Sequence, residues 1–128
     1  MTNTPSPAEI RAAVRDNPKL RARDLAQNLG ITEGELVAAH CGETARRITV
    51  DFEKIFPGLE SAGEVMALTR NENAVHEKIG VYDKYISGKH AAMMLGEKID
   101  TRMFPEKWAH GFALESADGD SVKRSLQF

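Results

Sequence analysis

The sequence predicts an α+β domain in which an N-terminal helical part is followed by a large antiparallel β-sheet. In the first half, two Ser/Thr capping boxes precede segments with apolar residues at helical spacing. From Gly63 onward, short stretches of strand type alternate with turn sequences. We expect one domain over residues 1–128, with the helical part at about 6–61 and the sheet at about 63–128. Helices first and strands later favour helices packed on one side of the sheet.

The first two helices have clear ends in the sequence. Ser6 and Glu9 form a capping box, and proline occupies the first position of a helix predicted over Pro7–Asp16. A second helix is predicted from Arg21 to Leu29. It ends at Gly30, because glycine tolerates the left-handed conformation that closes many helices.

Two more helical segments follow. Thr32 and Glu35 form a second capping box, which begins the third helix. The fourth segment, DFEKIFPGLES, has apolar residues at helical spacing, and Pro57 and Gly58 are expected to end or kink it.

The second half of the chain has the pattern of an antiparallel meander. The predicted strands lie in the stretches EVMALTR, NAVHEKIG, VYDKYIS, KHAAMML, KIDTRMF, HGFALES and SVKRSLQF. Turn sequences such as Asn-Glu-Asn and Asp-Gly-Asp separate them. The last stretch keeps its strand pattern up to Phe128, so we expect the chain to be a fragment of a longer protein.

Composition and charge exclude several classes of function. The chain of 128 residues is 41% hydrophobic and has a net charge of -2, so it has no general positive field for nucleic acid. Its single cysteine, Cys41, rules out an internal disulfide and fits a reducing compartment. No apolar run approaches the roughly 20 residues that span a bilayer, and no secretion signal is evident. We therefore expect a cytoplasmic protein without membrane insertion.

The segment DLAQNLGITEGELVAAH has the pattern of a helix-turn-helix, which raises the possibility of DNA binding. A recognition helix needs basic or amide side chains for base edges and phosphates, but this one begins with Glu33 and Glu35. Residues 1–50 carry seven Lys and Arg against six Asp and Glu. We interpret the unit as a small helical subdomain and place DNA binding third among the possible functions.

His76 is a candidate ligand in the stretch NENAVHEKIGVYDKY. If the strand runs through it, Val75 and Ile79 share one face and His76 lies on the other, outside the expected core stripe. A neutral imidazole there could bind a metal. The alternative is a solvated sheet face with one histidine on it, since the sequence offers no second ligand at metal-site spacing.

Arg102 and Phe104 form a more specific pattern in KIDTRMFPEKW. Alternation places them on one face of a strand with Asp100, about 7 Å apart. A guanidinium beside an aromatic ring suits a flat, anionic, apolar ligand. In the alternative interpretation Phe104 belongs to the core and Arg102 pairs with Asp100 or Glu106.

Four stretches together resemble a known family. ARDLAQNLGITEGELVAAH, GEVMALTRNENAVHEKIGVYDKY, KIDTRMFPEKWAHGFAL and SVKRSLQF are similar, in this order, to the N-terminal half of the bacterial hemin-degrading proteins of the HemS/ChuS/HmuS type. The resemblance implies two similar halves in tandem, with heme bound between them. It places Arg102 and Phe104 on the distal side of heme and the main axial histidine in the second half. His76 matches a histidine of the first half and is an alternative iron ligand.

The resemblance implies heme binding and heme utilisation, with oxidative opening of the porphyrin, iron release and an external reductant. Arg102 would act as the distal catalytic group, and Phe104 would pack on the macrocycle. A non-catalytic heme carrier is the alternative, so enzyme activity stays open at this point. Expected partners are heme and a heme importer, electron donor or heme oxygenase. A homodimer would replace the second half.

Overall fold

A computed structural model describes residues 3–128, so the first two residues of the predicted domain lie outside the described part. Four α-helices, two 3-10 helices and eight strands form in these residues. In chain order they are α1 (Pro7–Asp16), α2 (Ala22–Leu29), α3 (Glu33–Ala38), β1 (Ala45–Ile48), α4 (Phe52–Ile55), a 3-10 helix (Phe56–Ala62), β2 (Glu64–Arg70), β3 (Val75–Val81), β4 (Tyr85–Ile86), β5 (Ala92–Leu95), β6 (Asp100–Met103), a 3-10 helix (Pro105–Lys107), β7 (Gly111–Asp118) and β8 (Ser121–Gln127).

The predicted α+β class and the antiparallel pairing of the strands are confirmed. The strands form three sheets, with the orders β1-β7-β8, β2-β3 and β4-β5-β6. Strand β1 lies inside the region predicted to be helical and was missed. It has four residues, of which Arg46 and Arg47 are exposed. Its partner β7 follows about sixty residues later, so no local hairpin pattern marks it.

Capping explains the ends of the helices. The Ser6 hydroxyl accepts a hydrogen bond from the backbone N–H of Glu9 (3.2 Å), and the Glu9 carboxylate accepts one from the N–H of Ser6 (2.7 Å). Thr32 and Glu35 form the same reciprocal pair at the start of α3. These bonds satisfy backbone donors that a helix leaves open at its N-terminus, so both predicted capping boxes are confirmed.

The predicted break in the fourth helical segment is also present. Helix α4 has one turn, Phe52–Ile55, and the chain continues as a 3-10 helix over Phe56–Ala62. Pro57 lies at the start of that second helix, where its missing N–H costs no hydrogen bond.

The contacts divide the chain into two compact units. One runs up to Thr49 and includes His110–Phe128, and the other is Val50–Ala109. In the first unit, helices α1 to α3 enclose a core of small and aliphatic residues that includes Ile10, Leu25 and Leu36. The prediction of a single domain over 1–128 stays a prediction.

The unit Val50–Ala109 has an aromatic core. The rings of Phe52 and Phe56 lie 4.6 Å apart, and Trp108 meets Phe52 edge-on at 5.0 Å. Met94 and Met103 from the sheet β4-β5-β6 are buried in the same cluster. One face of this sheet is therefore covered by the α4 segment.

Gly30 closes α2 as the sequence predicted. Its φ of 70° lies in the left-handed region, and its N–H bonds to the carbonyls of Ala26 and Gln27. The next helix, α3, has six residues with Glu33 and Glu35 in its first turn. The helix-turn-helix interpretation of this unit stays a prediction.

Replacing Gly30 by alanine should destabilise the first unit, because a Cβ in the left-handed region costs about 1–2 kcal/mol. Gly34 is the matched control, since its added Cβ would meet only the Thr32 hydroxyl at 3.8 Å. Gly34→Ala should raise the free energy of unfolding by about 0.5–1 kcal/mol. Urea unfolding measures both, and equal effects of the two substitutions would contradict the role given to Gly30.

Candidate functional site

Strand β6 turns alternate side chains to the core and to solvent. Met103 and the preceding Ile99 are 3% and 2% exposed, whereas Asp100 and Arg102 are exposed. Phe104 follows the strand in an extended conformation and is 56% exposed. The alternation expected from the sequence is therefore present, and Phe104 is not a core residue.

A hydrogen bond from a neighbouring segment holds β6 in this orientation. The hydroxyl groups of Tyr82 and Thr101 lie 2.8 Å apart. Tyr82 also packs against the aromatic core, with its ring edge-on to Phe56 at 6.0 Å. Thr101 and Met103 thus face the covered side of the sheet, which leaves Arg102 on the open side.

The register of the sheet shows what surrounds Arg102. Ile86 on β4, Met93 on β5 and Arg102 on β6 lie directly opposite one another, so they share a face. Leu95 and Asp100 form the next pair on that face. We call this surface the Arg102 face, and its members are Ile86, Met93, Leu95, Asp100, Arg102 and Phe104.

Arg102 forms an ion pair on this face. Its Nη1 donates a hydrogen bond to Oδ1 of Asp100, and the Arg102 side chain remains 53% exposed. The alternative drawn from the sequence is thus right about Asp100 and wrong about Phe104. Because a guanidinium carries five N–H donors, the pair with Asp100 orients Arg102 and leaves it able to bind a further anion.

The Arg102 face combines an aromatic ring, aliphatic and thioether side chains and one cation. Such a surface can stack a flat apolar ring system and hydrogen-bond an anionic group at its edge or above its plane. Ile86 and Met93 were not foreseen as neighbours of Arg102. Only the register of three strands brings them together, and no short-range pattern in the sequence contains that information.

His76 lies on a different sheet, the hairpin β2-β3, directly opposite Thr69. It is exposed and lines a pocket of about 230 Å³ together with Thr69, Arg70, Asn71 and Ala74. This volume is below the roughly 300–1,000 Å³ of most small-molecule sites, so the pocket cannot enclose a large ligand. Neither Arg102 nor Phe104 lines it.

The prediction that Val75 and Ile79 form a core stripe beside His76 is wrong. Val75 and Ile79 do share a face, but they are 51% and 57% exposed. The buried residue of β3 is Gly80, on the same face as His76. The apolar pattern of the strand therefore marks an exposed face in this structure.

No cluster of three or more His, Cys, Asp or Glu that could hold a metal ion lies within residues 3–128. Among the helices of the described part, none is both long and apolar enough to cross a membrane.

The chain has an α+β fold, and its Arg102 face combines apolar side chains with the ion pair of Arg102 and Asp100. Residues 30–128 match the family described as the haemin-degrading HemS.ChuX domain. The match covers more than half of the chain, so the chain belongs to this family. The resemblance seen in the sequence is confirmed.

Relatives and solved structures agree with this assignment. The chain is 39% identical over 117 residues to the hemin transport proteins HmuS of Yersinia pestis and HemS of Yersinia enterocolitica. The matches cover 91% of this chain and 34% of each relative, so the chain spans about a third of their length.

Two solved structures have the same fold. Holo-PhuS, a heme-binding protein from Pseudomonas aeruginosa, superposes with a TM-score of 0.89 at 38% identity, over 96% of this chain and 37% of that one. The heme degrading enzyme ChuS of Escherichia coli O157:H7 superposes with a TM-score of 0.80 at 33% identity, over 91% and 35%.

The Tyr82 hydroxyl has a pKa above its usual value. Burial is the main cause, since it disfavours the charged phenolate, and the hydrogen bond with Thr101 acts in the opposite direction. The folded state therefore holds this proton more tightly than the unfolded chain. The contribution of this raised pKa to the free energy of unfolding is fully present below about pH 10, the pKa of an unfolded tyrosine. It decreases as the pH rises towards the pKa of folded Tyr82.

Tyr82→Phe should lower the free energy of unfolding by about 1 kcal/mol at pH 7, because Thr101 loses its partner. At pH 10.5 the difference between wild type and variant should shrink, since only the wild type loses stability through this group. Urea unfolding at the two pH values checks the prediction. A difference that is the same at both, or larger at pH 10.5, would contradict it.

Proposed function

We propose that this chain binds heme on the Arg102 face and takes part in oxidative heme degradation with release of iron. The observation that carries the proposal is the exposed pair of Arg102 and Phe104 on one sheet face. Family membership supports it, because the names of its relatives refer to hemin transport and to heme binding and degradation.

The chemistry of the face fits a porphyrin. Heme is a flat apolar macrocycle with two carboxylates, so it can stack on Phe104 and cover the side chains of Ile86 and Met93. Arg102 supplies the positive charge and directed N–H donors. Asp100 is the acidic residue among the six members of the face, and Arg102 offsets its charge.

Each residue has a separate role in the proposal. Phe104 holds the macrocycle by stacking, and Arg102 is the distal donor above it. Asp100 fixes the guanidinium on the open side of the sheet. Bound heme supplies the iron at which O2 is reduced, with electrons from an external donor. The protein contributes orientation and a charge-assisted hydrogen bond.

His76 is the candidate iron ligand among the described residues. Its imidazole is exposed, and a neutral imidazole can bind iron. Because His76 lies on the β2-β3 hairpin and not on the Arg102 face, iron ligation by His76 is an alternative to heme binding on the Arg102 face.

A non-catalytic heme carrier is the second candidate. It would use the same face, and the relatives named as hemin transport proteins favour it. A carrier binds heme and releases it intact, whereas an enzyme forms bilin products when a reductant is added. Absorbance spectra with and without reductant separate the two.

The setting that we propose is the cytoplasm, which agrees with a single, exposed free cysteine, Cys41. Partners would be a heme importer that supplies the ligand, an electron donor and a heme oxygenase that accepts heme from a carrier. A second copy of the chain is a further proposed partner.

Phe104→Ala should weaken heme binding about tenfold, because the stacked ring is lost. Arg102→Ala should slow reductant-dependent heme breakdown more than it weakens binding, since the donor acts on the reaction. Heme titration followed at the Soret band gives the affinity, and the appearance of bilin absorbance gives the rate.

Arg124→Ala is the matched control for Arg102→Ala. Arg124 is also an exposed arginine paired with a nearby carboxylate, that of Glu115 at 2.9 Å. It should leave both measurements unchanged. Unaltered binding in Phe104→Ala and unaltered breakdown in Arg102→Ala would remove the proposed roles.

His76→Ala should abolish the shift of the Soret band that reports axial ligation by histidine, whereas the control His90→Ala should retain it. Both histidines are exposed, so neither change disturbs the core. A band that is identical in wild type and His76→Ala would exclude His76 as the ligand.

A further inference from the structure

Lys84, which precedes β4, has an unusual backbone conformation. Its φ is 58°, and among the described residues other than glycine it alone has a positive φ. This left-handed region is strained for a residue with a Cβ, whereas glycine adopts it freely. A lysine therefore occupies a position at which glycine would be less strained. Residues strained in this way are concentrated at functional sites.

The tyrosines on either side of Lys84 account for this conformation. Tyr82 and Tyr85 both pack against the aromatic core of their unit, and the ring of Tyr85 is stacked on that of Phe56 with the centroids 6.2 Å apart. In a regular strand, residues three apart face opposite sides. The chain can place both rings on the covered side of the sheet only if it leaves the extended conformation between them, and it does so at Lys84.

The register places Lys84 at the border of the Arg102 face. Its carbonyl accepts a hydrogen bond from the N–H of Leu95 at 3.2 Å, and Leu95 lies opposite Asp100 on β6. In the sheet order β4-β5-β6, Lys84 therefore lies at the β4 edge and Arg102 at the β6 edge. Two strand spacings separate these edges, which is about 10 Å.

The ammonium group of Lys84 has no ionic partner in the described part of the chain. Lys84 is exposed and forms no ion pair with a carboxylate among residues 3–128. The neighbouring carboxylate of Asp83 is directed at the turn between β5 and β6, since its Oδ1 would lie 2.7 Å from a Cβ added at Gly96. Arg102, in contrast, is paired with Asp100. Lys84 therefore brings an uncompensated positive charge to the border of the face.

We propose that Lys84 binds a carboxylate of the heme that lies on the Arg102 face, an inference that rests on the proposed function. Heme has two carboxylates at its rim, and among the six members of the face only Arg102 is a cation. An ammonium group on a flexible four-carbon stem suits a carboxylate at the edge of the ligand. With the macrocycle stacked on Phe104, this contact fixes which edge of the ring faces β4.

Removal of the charge tests the contact. Lys84→Met keeps most of the stem without the ammonium, and it should weaken heme binding about fivefold. Its affinity for iron protoporphyrin IX dimethyl ester should equal that of the wild type, because both carboxylates of this porphyrin are neutral esters. Lys84→Arg should retain the affinity for heme. Titrations followed at the Soret band give the dissociation constants.

Lys123→Met is the matched control. Lys123 is an exposed lysine on β8, a strand of another sheet, and it too forms no ion pair within residues 3–128. This substitution should leave the affinity for both porphyrins unchanged. Circular dichroism and the melting temperature confirm that each variant is folded.

Lys84→Gly separates the strain from the charge. Because glycine adopts the left-handed region freely, this variant should melt at a higher temperature than the wild type. Its affinity for heme should nevertheless fall as in Lys84→Met. A gain in stability together with a loss of binding is expected if the side chain, and not the backbone, serves the ligand.

Several results would overturn the proposal. They are wild-type affinity for heme in Lys84→Met or Lys84→Gly, an equal loss for heme and its dimethyl ester, and an equal loss in Lys123→Met. Each of these leaves heme binding on the Arg102 face intact. A wild type that binds neither porphyrin would instead contradict the proposed function, and this inference with it.

Discussion

The candidate site depends on the burial of alternate residues at and before β6. Ile99 and Met103 are held in the interior of the unit Val50–Ala109, and Thr101 is tied to Tyr82. Because side chains alternate along a strand, Asp100 and Arg102 face outwards. The open orientation of Arg102 is thus fixed by apolar contacts on the other side of the sheet.

One consequence is that stability and the proposed binding role are divided between the two faces of one short strand. The covered face contributes packing against the aromatic cluster around Phe52 and Phe56. The open face carries the charge and the exposed ring. A substitution on the covered face should therefore lower the stability of the fold, whereas one on the open face should leave the fold intact.

The sequence was sufficient where the signal is local. It specified α1 and its cap at Ser6, the end of α2 at Gly30 and the side of β6 that carries Arg102. It was insufficient where the partner is distant in the chain. Strand β1 is defined by pairing with β7, and Ile86 and Met93 join Arg102 only through the register of three strands. The exposure of Ile79 could not be predicted from the sequence either. The alternation of residues identifies an apolar face, but it does not show whether another element covers that face.

The pairing of β1 with β7 also bears on the order of folding. Ile48 lies opposite Gly111, so this ladder closes a loop of about sixty residues. Closing a long flexible loop has a large entropic cost, which falls when the intervening chain is already compact. The helices α1 to α3, whose contacts are short-range, can form early. The sheet β1-β7-β8 can form only when the chain between β1 and β7 has brought these two strands together. Slow refolding of this chain would then originate in the assembly of that ladder.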